Sequence, residues 1–209
     1  VILSGANTFT SAATGGVMTV NLGYVRLGNA GALGNTPTIL VANPNTATTT
    51  GIKLYNNITI GAGRTLILRN GNGAGNDQRT ALENLSGNNT WAGNIVLESP
   101  VAGVRNQTLT STAGTLTVTG NVINSTTSPS GGMFIRGASN GVISGNMYLG
   151  DAGLFKTDGG TWTINSTGNT QGSTTVAVGT VVLNNNSALQ AGKPITLGQG
   201  DASNATLTI

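Results

Sequence analysis

The acidic side chains of this 209-residue chain are too few and too scattered to predict a catalytic centre. They are Asp77, Glu83, Glu98, Asp151, Asp158 and Asp201. Enzymes that cleave polysaccharides bring two or three carboxylates together, one acting as an acid and another as a base or nucleophile. Asp151 and Asp158 form the nearest pair, but their spacing is too long for one strand and too short for neighbouring stacked repeats. We therefore predict two solvated turn residues at these positions.

Histidine and cysteine are both absent from the chain. The first absence excludes a Ser-His-Asp triad. The second excludes disulfides and thiolate metal sites, and it is common in secreted bacterial proteins that cross membranes unfolded. Segment 70–77 (NGNGAGND) partly matches a calcium-binding glycine repeat, but that site draws ligands from tandem copies and the chain has one copy. We predict no enzymatic activity, no catalytic, cofactor-binding or metal-binding residues, and no cofactor.

Charge and aromatic content limit the classes of partner. The net charge is +3, only 7% of residues are charged, and the basic residues form no cluster. Nucleic-acid binding needs a concentrated basic stripe, and a membrane span needs about 18 consecutive apolar residues. We predict neither a nucleic-acid partner nor a membrane span. The aromatic residues would form a sugar-binding platform if several faced outward, and otherwise they pack in the core: Phe9, Tyr24, Tyr55, Trp91, Phe134, Tyr148, Phe155 and Trp162.

A short phrase, Gly-Asn followed by alternating apolar residues, recurs along the chain. It begins at Gly93, Gly120 and Gly145, at intervals of 27 and 25 residues, with a variant at Asn56. A longer match aligns residues 20–33 (VNLGYVRLGNAGAL) with residues 176–189 (VAVGTVVLNNNSAL) at a constant offset of 156 residues. Recurrence at this period is typical of one supersecondary unit stacked on copies of itself. The asparagines are expected to hydrogen-bond from rung to rung.

Composition and periodicity both predict β-structure. The chain contains 33 Gly, 33 Thr and 26 Asn, all poor helix formers. Residues 115–119, 161–164 and 206–209 alternate with the period of a half-buried strand. The only helix-like stretch, 78–85, is short and close to glycine. Strands are predicted at 18–21, 24–27, 38–41, 52–55, 58–60, 65–68, 95–97, 116–119, 122–123, 133–135, 142–143, 147–149, 162–164, 175–178, 181–183, 195–197 and 207–209.

These features predict one all-β domain over residues 1–209, a right-handed parallel β-helix or β-solenoid with loop insertions. About 20 to 27 residues per coil would give about eight to ten rungs. Segments 42–50, 70–78 and 125–132 lack apolar periodicity and are expected to be insertions on one face of the solenoid. A β-sandwich or jelly roll is the alternative, although it needs more bulky core anchors than this chain supplies.

Segments 3–10 (LSGANTFT) and 85–95 (LSGNNTWAGNI) share a phrase. Another copy runs from 160–164 through 175–183 and continues into 186–189. These segments resemble the autotransporter-associated β-strand repeat, although Thr10 is not followed by the usual glycine and residues 56–82 fit the pattern poorly. The resemblance implies a secreted bacterial passenger segment of β-helical architecture, as found in surface adhesins and long repetitive proteins. It brings no catalytic motif.

The expected function is structural: a stalk or surface-fibre subunit of an extracellular bacterial protein, located at the cell surface. Residues 1–3 and 207–209 are strand-like and apolar, and solenoids need polar caps to prevent edge pairing. The chain is therefore expected to be a segment or subunit of a longer repetitive assembly, with itself as partner through end-to-end stacking. The alternative is an adhesin that binds glycans or a host surface through the three insertions.

Overall fold

The computed structural model describes residues 1–8, 16–43, 50–70, 80–100, 106–199 and 204–209. These residues form strands joined by turns, and no helix occurs among them. The strands are β1 (Ile2–Leu3), β2 (Val17–Val20), β3 (Tyr24–Leu27), β4 (Thr38–Asn43), β5 (Thr50–Leu54), β6 (Thr59–Ile60), β7 (Thr65–Asn70), β8 (Thr80–Asn84), β9 (Asn88–Trp91), β10 (Asn94–Glu98), β11 (Asn106–Ser111), β12 (Thr115–Val118), β13 (Val122–Asn124), β14 (Gly132–Arg136), β15 (Asn140–Ile143), β16 (Met147–Tyr148), β17 (Gly153–Lys156), β18 (Thr161–Ile164), β19 (Ser173–Val176), β20 (Gly179–Leu183), β21 (Ile195–Leu197) and β22 (Ala205–Thr208).

The strands form three parallel sheets wound into a right-handed parallel β-helix. Sheet A has nine strands in the order β1-β3-β5-β8-β11-β14-β17-β19-β21. Sheet B has six, β2-β4-β7-β10-β13-β16, and sheet C has seven, β6-β9-β12-β15-β18-β20-β22. From β4 to β18 the chain visits sheets B, A and C in turn, once per coil. The solenoid prediction is confirmed, and the sandwich alternative fails because each strand pairs with the strand one coil away.

Alternation of side chains along each strand builds the core. In sheet A the register aligns Ile52, Leu82, Leu109 and Ile135 in one inward-facing column, and all four are fully buried. One of the two neighbouring outward columns carries Lys53, Glu83, Thr110 and Arg136, whose polar groups tolerate water. Because each coil buries its apolar residues against the coils above and below, stability is shared between neighbouring coils.

Every predicted strand overlaps an observed strand, but β1, β8, β9, β11 and β17 were not predicted. The helix-like stretch 78–85 contains strand β8, which lies between β5 and β11. Pairing on both edges overrides the weak local preference for helix. Strand β11 does not show the polar–apolar alternation that predicts a strand, because its first four residues, Asn106 to Leu109, are all buried. Burial of both faces removes the polar–apolar alternation that identifies a strand.

The glycines of the Gly-Asn phrase stack directly on one another at the corner between sheets C and B. A Cβ atom added to Gly120 would overlap the carbonyl oxygen of Gly93, and one added to Gly145 would overlap that of Gly120. Both separations would fall well inside 3.0 Å, which real Cβ atoms essentially never show. The glycine therefore recurs because neighbouring coils bring backbone against backbone at this corner.

The asparagines of the same phrase form the predicted ladder. The backbone N–H of Asn121 donates to Oδ1 of Asn94 at 3.1 Å, and that of Asn146 donates to Oδ1 of Asn121 at 3.0 Å. A related bond of opposite direction follows, in which the backbone N–H of Met147 donates to Oδ1 of Asn169 in the next coil at 2.7 Å. Each amide thus satisfies a backbone donor that the turn leaves without a strand partner.

The match at an offset of 156 residues reflects one local structure used on two different faces. Gly23 at the β2–β3 corner and Gly179 at the β19–β20 corner both have left-handed backbones, with φ of 76° and 81°. Asn29 and Asn185 each accept a hydrogen bond from the backbone N–H two residues later, at 2.8 and 3.0 Å. The first copy runs from sheet B to sheet A and the second from sheet A to sheet C. The motif therefore specifies a corner and its turn, not a particular face.

A buried asparagine secures the corner between sheets A and C. Asn89 is fully buried, accepts a hydrogen bond from the backbone N–H of Ile58 at 2.8 Å and donates to the carbonyl oxygen of Ser86 at 2.8 Å. It also donates to Oδ1 of Asn84. The Asn of the Leu-Ser-Gly-x-Asn-Thr phrase is thus a structural residue that joins two coils.

Replacing Asn89 by alanine is expected to lower the free energy of unfolding by about 2 kcal/mol, because the Ile58 N–H and the Ser86 carbonyl lose a buried partner. Urea unfolding followed by circular dichroism measures the loss. Asn88→Ala is the matched control, since its side chain is exposed. Equal effects of the two substitutions would contradict the assigned role of Asn89.

Candidate functional site

The predicted insertions all connect sheet B to sheet A. Residues 44–49 follow β4 and precede β5, residues 71–79 follow β7 and precede β8, and residues 125–131 follow β13 and precede β14. The ends of the predicted segments, residues 42–43, 50, 70 and 132, belong to strands and not to loops. Residues 44–49 and 71–79 lie outside the described residues, and the third insertion lies within them.

A cleft of about 600 Å³ opens at this edge between two successive connections. Its volume falls within the range typical of small-ligand sites, about 300 to 1,000 Å³. The lining residues are Ile123, Asn124, Ser125, Thr126, Pro129, Ser130, Gly131, Tyr148, Leu149, Gly150, Asp151, Ala152 and Thr170. They come from three consecutive coils.

The floor of the cleft is an outward-facing column of sheet B. Ile123 pairs with Tyr148, and Tyr148 forms a bridge to Thr170. The side chain of Tyr148 is one of the few large apolar side chains at the surface, with 40% of the residue exposed. Its hydroxyl accepts a hydrogen bond from Nδ2 of Asn146 at 3.0 Å, which fixes the outer end of the ring. The floor is therefore apolar and aromatic, with polar atoms at its margin.

The first wall, residues 125–131, is held by hydrogen bonds of its own. The backbone N–H of Ser128 donates to Oγ of Ser125 at 3.2 Å, and Oγ of Ser130 donates to the carbonyl oxygen of Gly132 at 2.9 Å. The backbone N–H of Ser99, one coil away, donates to the carbonyl oxygen of Ser128 at 2.9 Å. These bonds give the insertion a defined shape against the solenoid body.

The second wall, residues 149–152, is tied to the first by Asn124. Its Nδ2 donates to the carbonyl oxygens of Ser130 at 3.3 Å and of Leu149 at 3.1 Å. The backbone N–H of Leu149 donates to the carbonyl oxygen of Thr170 at 2.7 Å. One amide thus spans the two walls and sets the width of the cleft.

Two polar side chains in the walls are free to bind. Asp151 and Thr126 are exposed, and within the described part of the chain neither side chain makes a hydrogen bond or ion pair. Asp151 is also the only charged residue among those that line the cleft. A single carboxylate with no second carboxylate and no histidine beside it can orient a ligand but cannot supply an acid–base pair.

The structure separates the acidic residues that the sequence singles out. Asp151 precedes β17 and Asp158 follows it, so the two lie at opposite ends of a strand, on the order of 20 Å apart. Asp158 accepts hydrogen bonds from Nε of Arg136 at 3.1 Å and from the backbone N–H of Gly137 at 3.0 Å. Asp151 is exposed in a turn, as predicted, whereas Asp158 is half-buried and paired with Arg136, so the prediction of a solvated residue is wrong for Asp158.

The other acids in the described ranges are also apart from one another. Glu83 pairs with Lys53 at 2.8 Å on sheet A, and Glu98 pairs with Arg69 at 2.7 Å on sheet B. Asp77 and Asp201 lie outside the described residues, as does most of the glycine-rich segment 70–77. Among the described residues no group of three potential metal ligands comes together.

The aromatic residues do not form a common platform. Trp91 and Trp162 face inward and are fully buried, whereas Phe134 and Phe155 stack on sheet A with ring centroids 4.8 Å apart. Lys53 lies over the ring of Tyr24, 3.7 Å from its centroid. Phe9 is outside the described residues. Tyr55 lines a smaller cleft of about 280 Å³, and Tyr148 lines the cleft of about 600 Å³.

Lys156 is a buried cation that the sequence reasoning missed. It occupies the inward column of sheet A between Ile135 and Val176, where neighbouring coils carry aliphatic residues. Its ammonium donates to the carbonyl oxygens of Thr157 at 2.8 Å and Val178 at 3.0 Å, and to that of Asp158. Burial lowers the pKa of Lys156 from 10.5 to about 8, although the Asp158 carboxylate opposes this shift.

Comparison of the chain with protein-family models, with curated proteins and with solved structures finds no match. Within the described ranges no helix is long and apolar enough to cross a membrane.

Proposed function

We propose that the chain is a structural element of an extracellular bacterial protein, a β-solenoid stalk or surface-fibre subunit that extends by stacking coil on coil. The observation that carries the proposal is the exposure of the last coil. Ile195 and Leu197 of β21 hold inward register positions next to Thr174 and Val176, yet they are 47% and 51% exposed. A further coil would cover them, supplied by a longer chain or by a second copy.

The first coil supports the same proposal. Leu3 of β1 and Met18 of β2 hold inward register positions next to Leu27 and Ile39, which are fully buried, yet both are only partly buried themselves. Strands β1 and β21 lie at the two edges of sheet A, each with one neighbouring strand. Unpaired parallel edges with exposed apolar residues favour pairing with another edge of the same kind. The two ends of sheet A can therefore meet head to tail.

The extracellular bacterial setting is supported by the absence of cysteine, by the low charge and by the resemblance of three segments to the autotransporter-associated repeat. A low-charge solenoid rich in Thr and Asn needs neither disulfides nor metal to fold, because each coil is stabilised by its neighbours. Such a body suits a protein whose role is to span distance.

Stacking is tested by placing a charge in the exposed inward column. The 209-residue chain is expected to associate with rising concentration in sedimentation velocity, and Leu197→Lys is expected to abolish that association, since a buried unpaired charge costs several kcal/mol. Thr196→Lys is the matched control, because Thr196 holds the outward register position beside Thr175 and the substitution adds the same charge without entering the interface.

A wild-type chain that stays monomeric at high concentration would count against association between copies. Equal sedimentation of the Leu197→Lys and Thr196→Lys variants would count against the inward column as the interface.

Glycan binding at the edge between sheets B and A is a second candidate, and the cleft between residues 125–131 and 149–152 favours it. A glycan array probed with the wild-type chain, and with a variant in which residues 126–129 are replaced by a Gly-containing turn, tests this candidate. Binding that survives the replacement would place recognition elsewhere.

A further inference from the structure

We propose that the cleft is a subsite for one non-acidic sugar unit, a neutral hexose or an amino sugar, which stacks on Tyr148 and hydrogen-bonds to Asp151. This assignment rests on the glycan-binding candidate function and narrows it to a place and a ligand chemistry. It uses side chains from two successive coils, Ile123 and Thr126 on one and Tyr148 and Asp151 on the next, so it exists only in the folded solenoid.

The floor has the chemistry that a sugar ring requires. A pyranose presents C–H groups on its face and hydroxyls around its edge. Tyr148 and Ile123 supply an apolar surface in adjacent rungs about 4.8 Å apart, close to the width of one ring. Tyr148 is 40% exposed and lines the cleft, and its hydroxyl is engaged by Asn146. Stacking on such a side chain contributes both apolar burial and interaction with the π-face.

The walls supply free polar groups where the edge of a sugar ring would lie. Asp151 offers a carboxylate that can accept hydrogen bonds from two hydroxyls, and Thr126 offers a hydroxyl that both donates and accepts. Neither group has a competing partner within the described residues. The backbone polar groups of the walls, in contrast, are largely used in holding the two connections together.

The charge of the cleft excludes acidic sugars. Asp151 is the only charged residue among the lining residues, and no cationic side chain lines the cleft to neutralise a ligand carboxylate. The carboxylate of an acidic sugar bound in the cleft would be repelled by the carboxylate of Asp151. Uronic and sialic acids are therefore disfavoured, whereas the ammonium of an amino sugar would pair with Asp151.

The cleft is formed before a ligand binds. Asn124 joins the two walls, Ser99 anchors the first wall to the neighbouring coil, and the backbone of Thr170 anchors the second. A preformed site loses little conformational entropy on binding. A single sugar unit can therefore be recognised without rearrangement of the solenoid.

The test is a glycan array followed by calorimetric titration with the best-bound glycan. The full chain is compared with Tyr148→Ala, Tyr148→Leu and Asp151→Asn, and with Tyr24→Ala as a control for loss of an aromatic residue on sheet A. Neutral or amino-sugar glycans are expected to bind the wild-type chain, and Tyr148→Ala is expected to weaken binding at least tenfold. Tyr148→Leu keeps an apolar side chain in the strand, so its loss of affinity would report the ring and not the fold.

Asp151→Asn should weaken binding of amino sugars and admit acidic glycans, while Tyr24→Ala should bind as the wild type does. Binding of acidic glycans alone, or binding that Tyr148→Ala leaves unchanged, would overturn the subsite and leave glycan binding at the loop edge standing. Absence of binding to every glycan at millimolar concentration would overturn both. Binding of unglycosylated protein in place of sugar would also overturn the subsite.

Discussion

Replacement of Gly120 by alanine is expected to destabilise the solenoid by at least about 3 kcal/mol, more than a typical surface substitution. The added methyl group would enter the space of the Gly93 backbone carbonyl in the coil below. The collision cannot be relieved by rotating a side chain, because both partners are backbone atoms in stacked coils whose spacing is fixed by strand pairing. Urea unfolding monitored by circular dichroism measures the effect.

Gly63→Ala is the matched control for Gly120→Ala. Gly63 lies in the same kind of corner, between β6 of sheet C and β7 of sheet B, but a Cβ there meets no atom within 4 Å and its backbone is not left-handed. The free energy of unfolding of the Gly63→Ala variant should stay within about 0.5 kcal/mol of the wild-type value or rise slightly, because alanine restricts the unfolded chain. Similar losses at Gly63 and Gly120 would contradict the stacking of glycines as the reason for their recurrence.

The same corner shows how far the sequence alone predicts the fold. The recurrence of Gly-Asn at intervals of 27 and 25 residues marks backbone contact and an amide ladder, both of which are consequences of one residue type at one place in each coil. Such local requirements leave a trace in the sequence. Strands β12 and β18 of sheet C can also be recognised in the sequence, because their residues alternate between buried and partly exposed positions.

Several strands of sheet A are harder to predict from the sequence, because their residues do not alternate between polar and apolar. Strand β11 buries Gln107 and Thr108 on successive positions, and β17 places Lys156 in the core. No local pattern distinguishes such a strand from a loop. Its identity depends on pairing with β8 and β14, residues more than twenty positions away in either direction.

The two walls of the candidate site also differ in how well the sequence predicts them. Residues 125–132 could be identified as an insertion from their composition, but the opposite wall at 149–152 is a short turn with no unusual composition. Its place beside the insertion follows from the pairing of Ile123 with Tyr148, which is a property of coil length. The sequence predicts that this edge of the solenoid carries insertions. The strand register determines that Tyr148 is the aromatic residue beside the insertion at 125–132.

The second large expected effect concerns Lys156, which should make the free energy of unfolding rise with pH. A lysine whose pKa is raised on folding would have the opposite effect. In the folded chain its pKa is lowered from 10.5 to about 8 by burial. Between these two values the unfolded chain binds more protons than the folded chain, so the free energy of unfolding should rise with pH across this window. Below pH 8 the ammonium is charged in both states, and this contribution is constant.

The substitution Lys156→Met isolates that contribution. At pH 7 the variant is expected to be less stable by about 3 kcal/mol, because the carbonyl oxygens of Thr157, Asp158 and Val178 lose their shared donor in the core. Raising the pH from 8 to 10 should stabilise the wild type relative to the variant by up to about 1.4 kcal/mol per pH unit. The neutral amine still donates to two of the three carbonyls and no longer carries a buried charge.

Urea unfolding of both proteins at a series of pH values measures the difference between their free energies of unfolding. Taking the difference removes the contributions to stability that both proteins share. A difference that stays constant from pH 8 to 10, or that narrows, would show that the folded chain holds Lys156 as a charge without cost. In that case the three carbonyls would fully replace the water that burial removes, and the lysine would stabilise the corner between sheets A and C at every pH below its ordinary pKa.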